Sequence, residues 1–317
     1  MVKNMQHAKR YPKRINKKDL LFCTILISFP IAQFAIFYIG VNINTVIMSF
    51  QKISVDGTRS FTFQNFGNAI KFFGSGLFKT YFSNSLWFYL LTTVISIPLS
   101  LVFSFYIFKK MPFWSSFRVM LFLPQLFSAV VMGAFYRYFV NYGVPEILKT
   151  LTGNAFISPF VDSTSKGAFW AVLIFSLWVG FGTNVLMYSN SMSGIAEETI
   201  EAGHIDGAVG IKEFWYIVLP QTFSTLSVFI VTGFAGICLS QYYIFDLYSS
   251  KCDNSGVETL GYYLFVEVNS KFGAGATAED LAQVPFYATV SLIITLVVAP
   301  LTIILRKLLE KYGPSEN

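Results

Sequence analysis

Leu20-Leu-Phe-Cys-Thr-Ile-Leu-Ile-Ser-Phe-Pro-Ile-Ala-Gln-Phe-Ala-Ile-Phe-Tyr-Ile-Gly40 carries no charge, and the apolar run continues to Met48 through Asn42 and Asn44. A helix crosses a hydrocarbon core of about 30 Å with about 20 such residues, so this stretch predicts a membrane span. It is far longer than a secretory h-region of about 7–15 residues, and no small-residue cleavage site ends it. Lys9, Arg10, Lys13, Arg14, Lys17 and Lys18 crowd its N-terminal flank, as expected for the cytoplasmic side of a membrane helix. A nucleic-acid-binding arm is the rival reading of such a block. Its position hard against an apolar run argues for the membrane and no nucleic acid.

Working outward, five more apolar runs of spanning length lie near 82–108, 117–138, 168–188, 223–244 and 285–305. The fold class this predicts is an all-α membrane protein with six transmembrane helices. Composition agrees: 54% of residues are hydrophobic and 13% charged, and Phe occurs 35 times. Soluble chains are about a quarter charged, so these charges are too few to coat a water-facing surface. With the N-terminus inside, the inner segments hold 14 of the 23 basic residues but only 8 of the 17 acidic ones. The positive-inside rule therefore places both termini in the cytoplasm. The chain divides into a basic N-terminal tail (1–19), a membrane domain (20–309) with a long inner loop at 192–220, and a C-terminal tail (310–317).

Of the outer loops, 49–81 holds the turn signal Val55-Asp-Gly-Thr58, and Phe66-Gly-Asn68 leads to a short helix; 246–284 predicts another near 257–269. Cys23 and Cys238 read as small packing residues, while Cys252 falls in a polar loop; the three give no metal spacing. His7 and His204 lie outside the spans, and the zinc, nucleophile-elbow and phosphate-loop signatures are absent. Any nucleotide chemistry belongs to another chain.

The inner loop carries the most information. It reads Met192-Ser-Gly-Ile-Ala-Glu-Glu-Thr-Ile-Glu-Ala-Gly-His-Ile-Asp-Gly-Ala-Val-Gly-Ile-Lys-Glu-Phe-Trp-Tyr-Ile-Val-Leu-Pro220. Ile195, Thr199, Ala202, Ile205 and Ala208 recur at helical steps, Asp206-Gly207 breaks the helix, and 211–219 can form a second one. Gly203 and Gly207, four apart, predict a bare face that admits another surface. Such loops also lie simply in the headgroup region. An anionic inner leaflet recruits Lys and Arg, however, and this loop is acidic, which favours a protein partner.

Glu201-Ala202-Gly203, three residues, Gly207, nine residues, then Ile217-Val218-Leu219-Pro220 resembles the EAA signature of binding-protein-dependent ABC importer permeases. Gly203 stands where that family most often has Ala. Met111-Pro-Phe-Trp114, Phe122-Leu-Pro124, Tyr142-Gly143, Ile205-Asp-Gly-Ala208, Tyr243-Ile-Phe-Asp-Leu-Tyr248 and Glu258-Thr-Leu260 are similar to the carbohydrate-uptake branch, in particular the first permease of maltose- and glycerol-phosphate-type systems. The resemblance covers about 20–309. It implies a type I importer bundle with a cytoplasmic coupling helix and a heterodimer with a second homologous permease. It further implies two cytoplasmic ATPase subunits that bind the ATP and Mg, no cofactor bound by this chain itself, and an external solute-binding protein. Glu201, Ala202, Gly203, Asp206, Gly207, Ile217, Leu219 and Pro220 would then form the ATPase-coupling element. Glu201 would meet a basic residue of the ATPase, Gly203 and Gly207 would allow close docking, and Ile217, Leu219 and Pro220 would fix the second helix to the bundle. A solvated surface charge is the plain alternative for Glu201.

Polar groups inside spans are candidates for a solute path. These are Gln125, Asn184, Ser240, Gln241, Tyr242 and Tyr243, with hydrogen bonding between helices as the competing explanation for each. Arg137 reads as snorkelling or pairing with an acidic group. A stand-alone secondary transporter of a small polar solute is the alternative function. It needs intramembrane carboxylates or a proton relay, and the six runs contain neither Asp nor Glu in their interiors.

Overall fold

The computed structural model describes residues 17–153, 167–248, 256–273 and 275–314, which leaves Cys252 and most of the basic N-terminal block outside it. The first apolar run forms one continuous rod. Helix α1 (Lys17–Gln33) passes through a π-helical segment (Phe34–Gly40) into α2 (Val41–Ser49). Every residue from 20 to 44 is exposed, so this rod, Cys23 included, stands clear of the bundle for most of its length. Only the α2 end is anchored: Ser49 is buried, and its carbonyl accepts a hydrogen bond from Thr289.

A hairpin of β1 (Gln51–Ile53) and β2 (Arg59–Phe61) follows, pairing Gln51 with Phe61. Its turn is the one expected at 55–58, with Gly57 at φ 80° and Asp56 accepting hydrogen bonds from the Thr58 amide and hydroxyl. Helix α3 (Gln64–Gly74) leads into the 33-residue α4 (Gly76–Phe108). Then come α5 (Trp114–Phe122), α6 (Ala129–Tyr138), α7 (Val144–Thr152), α8 (Ala168–Ser193), α9 (Glu197–Ile205), α10 (Ile211–Glu213), α11 (Leu219–Gln221) and α12 (Phe223–Ala235). The short α13 (Ile244–Tyr248), α14 (Leu260–Phe272) and the 35-residue α15 (Ala278–Tyr312) complete the chain.

Among the described residues, four helices are long and apolar enough to cross a membrane unbroken, and six crossings result if each of two bent pairs counts as one. The expected straight third span at 117–138 is instead bent by 101° between Leu126 and Ala129. Pro124 has no amide to donate, the chain tightens to a 3-10 turn (Leu123–Leu126), and Phe127 and Ser128 adopt extended backbone. The expected fifth span at 223–244 also fails as one helix: α12 stops at Ala235, and 236–243 is turn structure. Its companion segment, Ile211–Gln221, meets α12 at 63°. The helix expected near 257–269 is α14, its start capped by the Thr259 hydroxyl.

The core is built on the seam between α4 and α8. Ser96, Ser100 and Ser104 recur every fourth residue on α4 and are buried. Such small side chains let two backbones approach closely, which drives helix association where lipid already solvates apolar surface. Ser104 donates to the Val185 carbonyl at 2.9 Å, and Asn184 donates to Ser96 at 2.8 Å. On another face of α8, Gly182 lies against the Leu121 and Phe122 backbone, where a Cβ would collide with main-chain atoms.

That contact sets a test. Gly182→Val should destabilise the chain by about 1–3 kcal/mol, the usual cost of overpacking. Gly180→Ala, on the same helix but facing open space, should keep stability or raise it by about 0.5–1 kcal/mol, the usual helix preference for alanine. Thermal unfolding midpoints in mild detergent report both.

Candidate functional site

Two places in the fold bring together chemistry that the packing alone does not use. The first is a cavity of about 380 Å³ between α4, α8 and the turn after α12. Thr92, Thr93 and Ser96 face it from α4, Ser176, Asn184 and Tyr188 from α8, and Ser240, Gln241, Tyr242, Tyr243 and Asp246 from the turn and α13. Five of the six solute-path candidates therefore share one cavity. Gln125 does not line it: its amide donates to the Val179 carbonyl at 2.8 Å and its oxygen accepts from Thr183. Gln125 ties α8 to the 3-10 turn, the interhelical alternative.

The turn that carries the cavity wall is strained. Tyr242 and Tyr243 both have left-handed backbone, at φ 47° and 61°. A bulky residue there costs on the order of 1–3 kcal/mol and persists only where its surroundings hold it. Ser176 donates to the Tyr242 carbonyl at 2.8 Å, Phe88 stacks on the Tyr242 ring, and Phe175 meets Tyr243 edge-on. Arg137 donates to the Leu247 carbonyl at 2.7 Å and so braces α13 through the backbone, and no carboxylate pairs with it among the described residues.

Two lining groups have no partner among the described residues. The Tyr188 hydroxyl and the Gln241 Oε1 are buried atoms without a hydrogen bond. An unpaired buried polar atom costs about 1–3 kcal/mol, so such atoms call for a ligand or water to meet them. Tyr188, Thr92, Thr93, Ser96, Ser176 and Asp246 escaped the sequence reading. The only available signal was the recurrence of hydroxyls within α4, which reads equally as packing.

The second place is the connection between α8 and α12. Helix α9, a turn at 206–210 and the segment 211–221 form the expected helix–turn–helix. Glu201, Ala202 and Asp206 are exposed on it. Gly207 and Gly210 have φ 84° and 64°, and a Cβ on Gly207 would meet nothing within the chain, so the turn itself calls for glycine there. Gly203 departs from expectation: a Cβ there would strike Ile217, so its bare face is used inside the connection. Ile217 accordingly packs back on α9, while Leu219 joins the core and the neighbouring Val218 is fully buried. Ile205, Ile211 and Tyr216 remain 87%, 76% and 77% exposed.

Beneath this surface lies a group the sequence reading passed over. Glu213 is fully buried, its carboxylate held by Lys109 Nζ at 3.0 and 2.9 Å and by His204 Nε2 at 3.1 Å. The two nitrogens offset the cost of burying the charge. The pair also puts the end of α4 and the connection on the same face of the bundle.

No family model matches the chain. It is similar to the arabinooligosaccharides transport system permease protein AraP of Bacillus subtilis, 28% identical over 211 residues (64% of this chain and 66% of the relative). It is also similar to the multiple sugar-binding transport system permease protein MsmF of Streptococcus mutans, 30% identical over 122 residues (38% and 42%). The matches thus span less than two thirds of either relative. Its fold is shared with a chain of a bacterial ABC transporter that imports the acidic polysaccharide alginate, at TM-score 0.75 and 16% identity over 93% of this chain and 97% of that one. A structure of bacterial alginate ABC transporter in complex with alginate pentasaccharide-bound periplasmic protein matches at TM-score 0.74 and 16% identity, over 93% and 96%.

The unpartnered hydroxyl separates a binding role from a packing role. Tyr188→Phe removes no internal hydrogen bond and should leave the unfolding midpoint equal or higher. Ser176→Ala removes the bond that holds the strained turn and should cost about 0.5–1.5 kcal/mol. Thermal unfolding in detergent measures both.

Proposed function

We propose that this multi-pass membrane chain, whose curated relatives are sugar ABC transporter permeases, forms with a second homologous permease the pathway for a carbohydrate. An external binding protein delivers the solute, and separate ATPase subunits bind ATP and Mg. The observation that carries the reading is the cavity. It is lined by hydroxyls, amides and tyrosines, and it holds buried hydrogen-bonding groups with no partner among the described residues. Polyhydroxyl solutes supply that missing complement, and aromatic faces suit the apolar faces of sugar rings.

The charge of the cavity narrows the solute. Its only ionisable carboxylate is that of Asp246, and no Lys or Arg lines it among the described residues. An anionic sugar would meet repulsion without a counter-charge, so an uncharged oligosaccharide fits best. The acidic polysaccharide imported by the structural relative is disfavoured here.

ATP-driven closure of the ATPases would move the exposed face of α9 and the following turn, and rigid helices would carry that motion to the cavity. Glu201 and Asp206 supply charge on this face, and Gly207 supplies the turn.

Affinity purification of the chain from its native membrane in mild detergent is the direct test. An ATPase and a second, different permease should co-purify. Glu201→Lys and Gly207→Val should leave membrane insertion intact but cut ATP-dependent uptake severalfold, Gly207→Val because any side chain is strained at that φ. Recovery of the chain alone, active in gradient-driven uptake, would replace this reading with that of a secondary transporter.

Selectivity gives a further check. Asp246→Asn should relax discrimination against uronic-acid oligosaccharides relative to neutral ones in competition uptake assays.

A further inference from the structure

We infer that Glu213 is a positioning residue of the transport cycle, a clamp that fastens the exposed α9–α10 connection to the cavity-lining helix α4. The inference rests on the permease reading above and concerns Lys109 together with two residues at the unspecified positions of the signature, none of which lines the cavity.

The geometry is specific. Lys109 is the C-terminal cap of α4, and His204 stands in the last turn of α9. Both nitrogens therefore sit at negative helix ends, where cations are favoured. The Glu213 carboxylate lies between them, with both oxygens bonded to Lys109 and one also to His204. A single buried group thus joins three elements: the end of α4, the end of α9 and the start of the segment that leads to α12.

Its burial makes the joint stiff. Glu213 has no exposed surface, whereas the neighbouring Ile205 and Ile211 are among the most exposed apolar residues of the chain. Sliding α10 along α4 would strip the carboxylate of its partners while it is still away from water, which is strongly unfavourable. Phe105 and Phe214 meet edge-on at 5.2 Å beside the ion pair, so the apolar contact shares the register of the charged one. The buried cluster above it includes Leu101, Tyr188, Met192 and Val218.

That cluster reaches the cavity. Ile97, Tyr188 and Phe229 belong to it and also line the cavity. Along α4, Ser96 lies thirteen residues from Lys109, about 20 Å at the helical rise. A push on the exposed face of the connection is therefore delivered to the end of a helix whose middle forms the cavity wall. Without the clamp, the connection could move while α4 stayed in place.

The test uses the full chain purified with its ATPase and second permease and returned to liposomes. A cysteine at Thr92→Cys, in a background of Cys23→Ala, Cys238→Ala and Cys252→Ala, reports cavity access through its rate of labelling by a small maleimide. In the parent, ATP and Mg should change that rate. In Glu213→Gln and Lys109→Met the ATPase should still co-purify and hydrolyse ATP, but the ATP-driven change should shrink by about tenfold or more. Lys109→Arg, which keeps a bidentate cation, should retain the change. An undiminished change in Glu213→Gln would overturn the clamp. So would loss of the ATPase from Glu213→Gln and Lys109→Arg alike, which would mark a folding role only. No ATPase with the parent chain would instead overturn the permease reading and the clamp with it.

Discussion

Close approach of α4 and α8 is the constraint on which the other features depend. In lipid there is no hydrophobic drive to join two apolar helices, so association rests on backbones coming near enough for dispersion and interhelical hydrogen bonds. The seam supplies this through Ser96, Ser100 and Ser104, with Asn184 and Ser104 bonding across it. From this seam α4 reaches outward in both directions. Near its start the buried Ser85 hydroxyl accepts from the Leu260 amide and so receives α14. At its far end Lys109 holds Glu213. Cavity wall, α14 and the connection between α8 and α12 are thus mounted on one rod.

The partner rod, α8, does a different job: it covers backbone that is not helical. Irregular main chain at membrane depth is tolerated only where protein satisfies it. Among the described residues the break at Phe127-Ser128 and the turn before α13 interrupt the apolar runs, and α8 attends to both. Gln125 reaches the Val179 carbonyl beside the first, and Ser176 reaches the Tyr242 carbonyl in the second. Polar side chains on these elements therefore fall into two kinds. Those that hold backbone in place are already bonded, whereas Tyr188 and Gln241, which line the cavity, keep atoms with no partner among the described residues.

This division explains what the sequence could and could not reveal. A hydropathy pattern integrates composition along a run, so the apolar stretches and the acidic connection between α8 and α12 were legible as such. Direction is not in that signal: the run 117–138 is apolar on both sides of a 101° bend. The same blindness affected the glycines. Gly203 and Gly207 look alike in sequence, four residues apart, yet one admits Ile217 and the other permits a left-handed turn. Glu213 was harder still, because its partner Lys109 is 104 residues away. A carboxylate between Lys212 and Phe214 reads as surface charge until the fold brings a cation beneath it.

The chain leaves two kinds of apolar surface uncovered, and their surroundings differ. Residues 20–44 of the rod formed by α1 and α2 are exposed and uncharged, so acyl chains can solvate that stretch on every side. The connection exposes Ile205, Ile211, Trp215 and Tyr216 within a stretch that also presents Glu198, Glu201 and Asp206. Water suits the carboxylates but not the rings, and an anionic headgroup layer suits neither. A protein groove with an apolar floor and a basic rim suits both. A face this exposed would transmit force to a helix only if something buried, such as Glu213, held it to the helices behind.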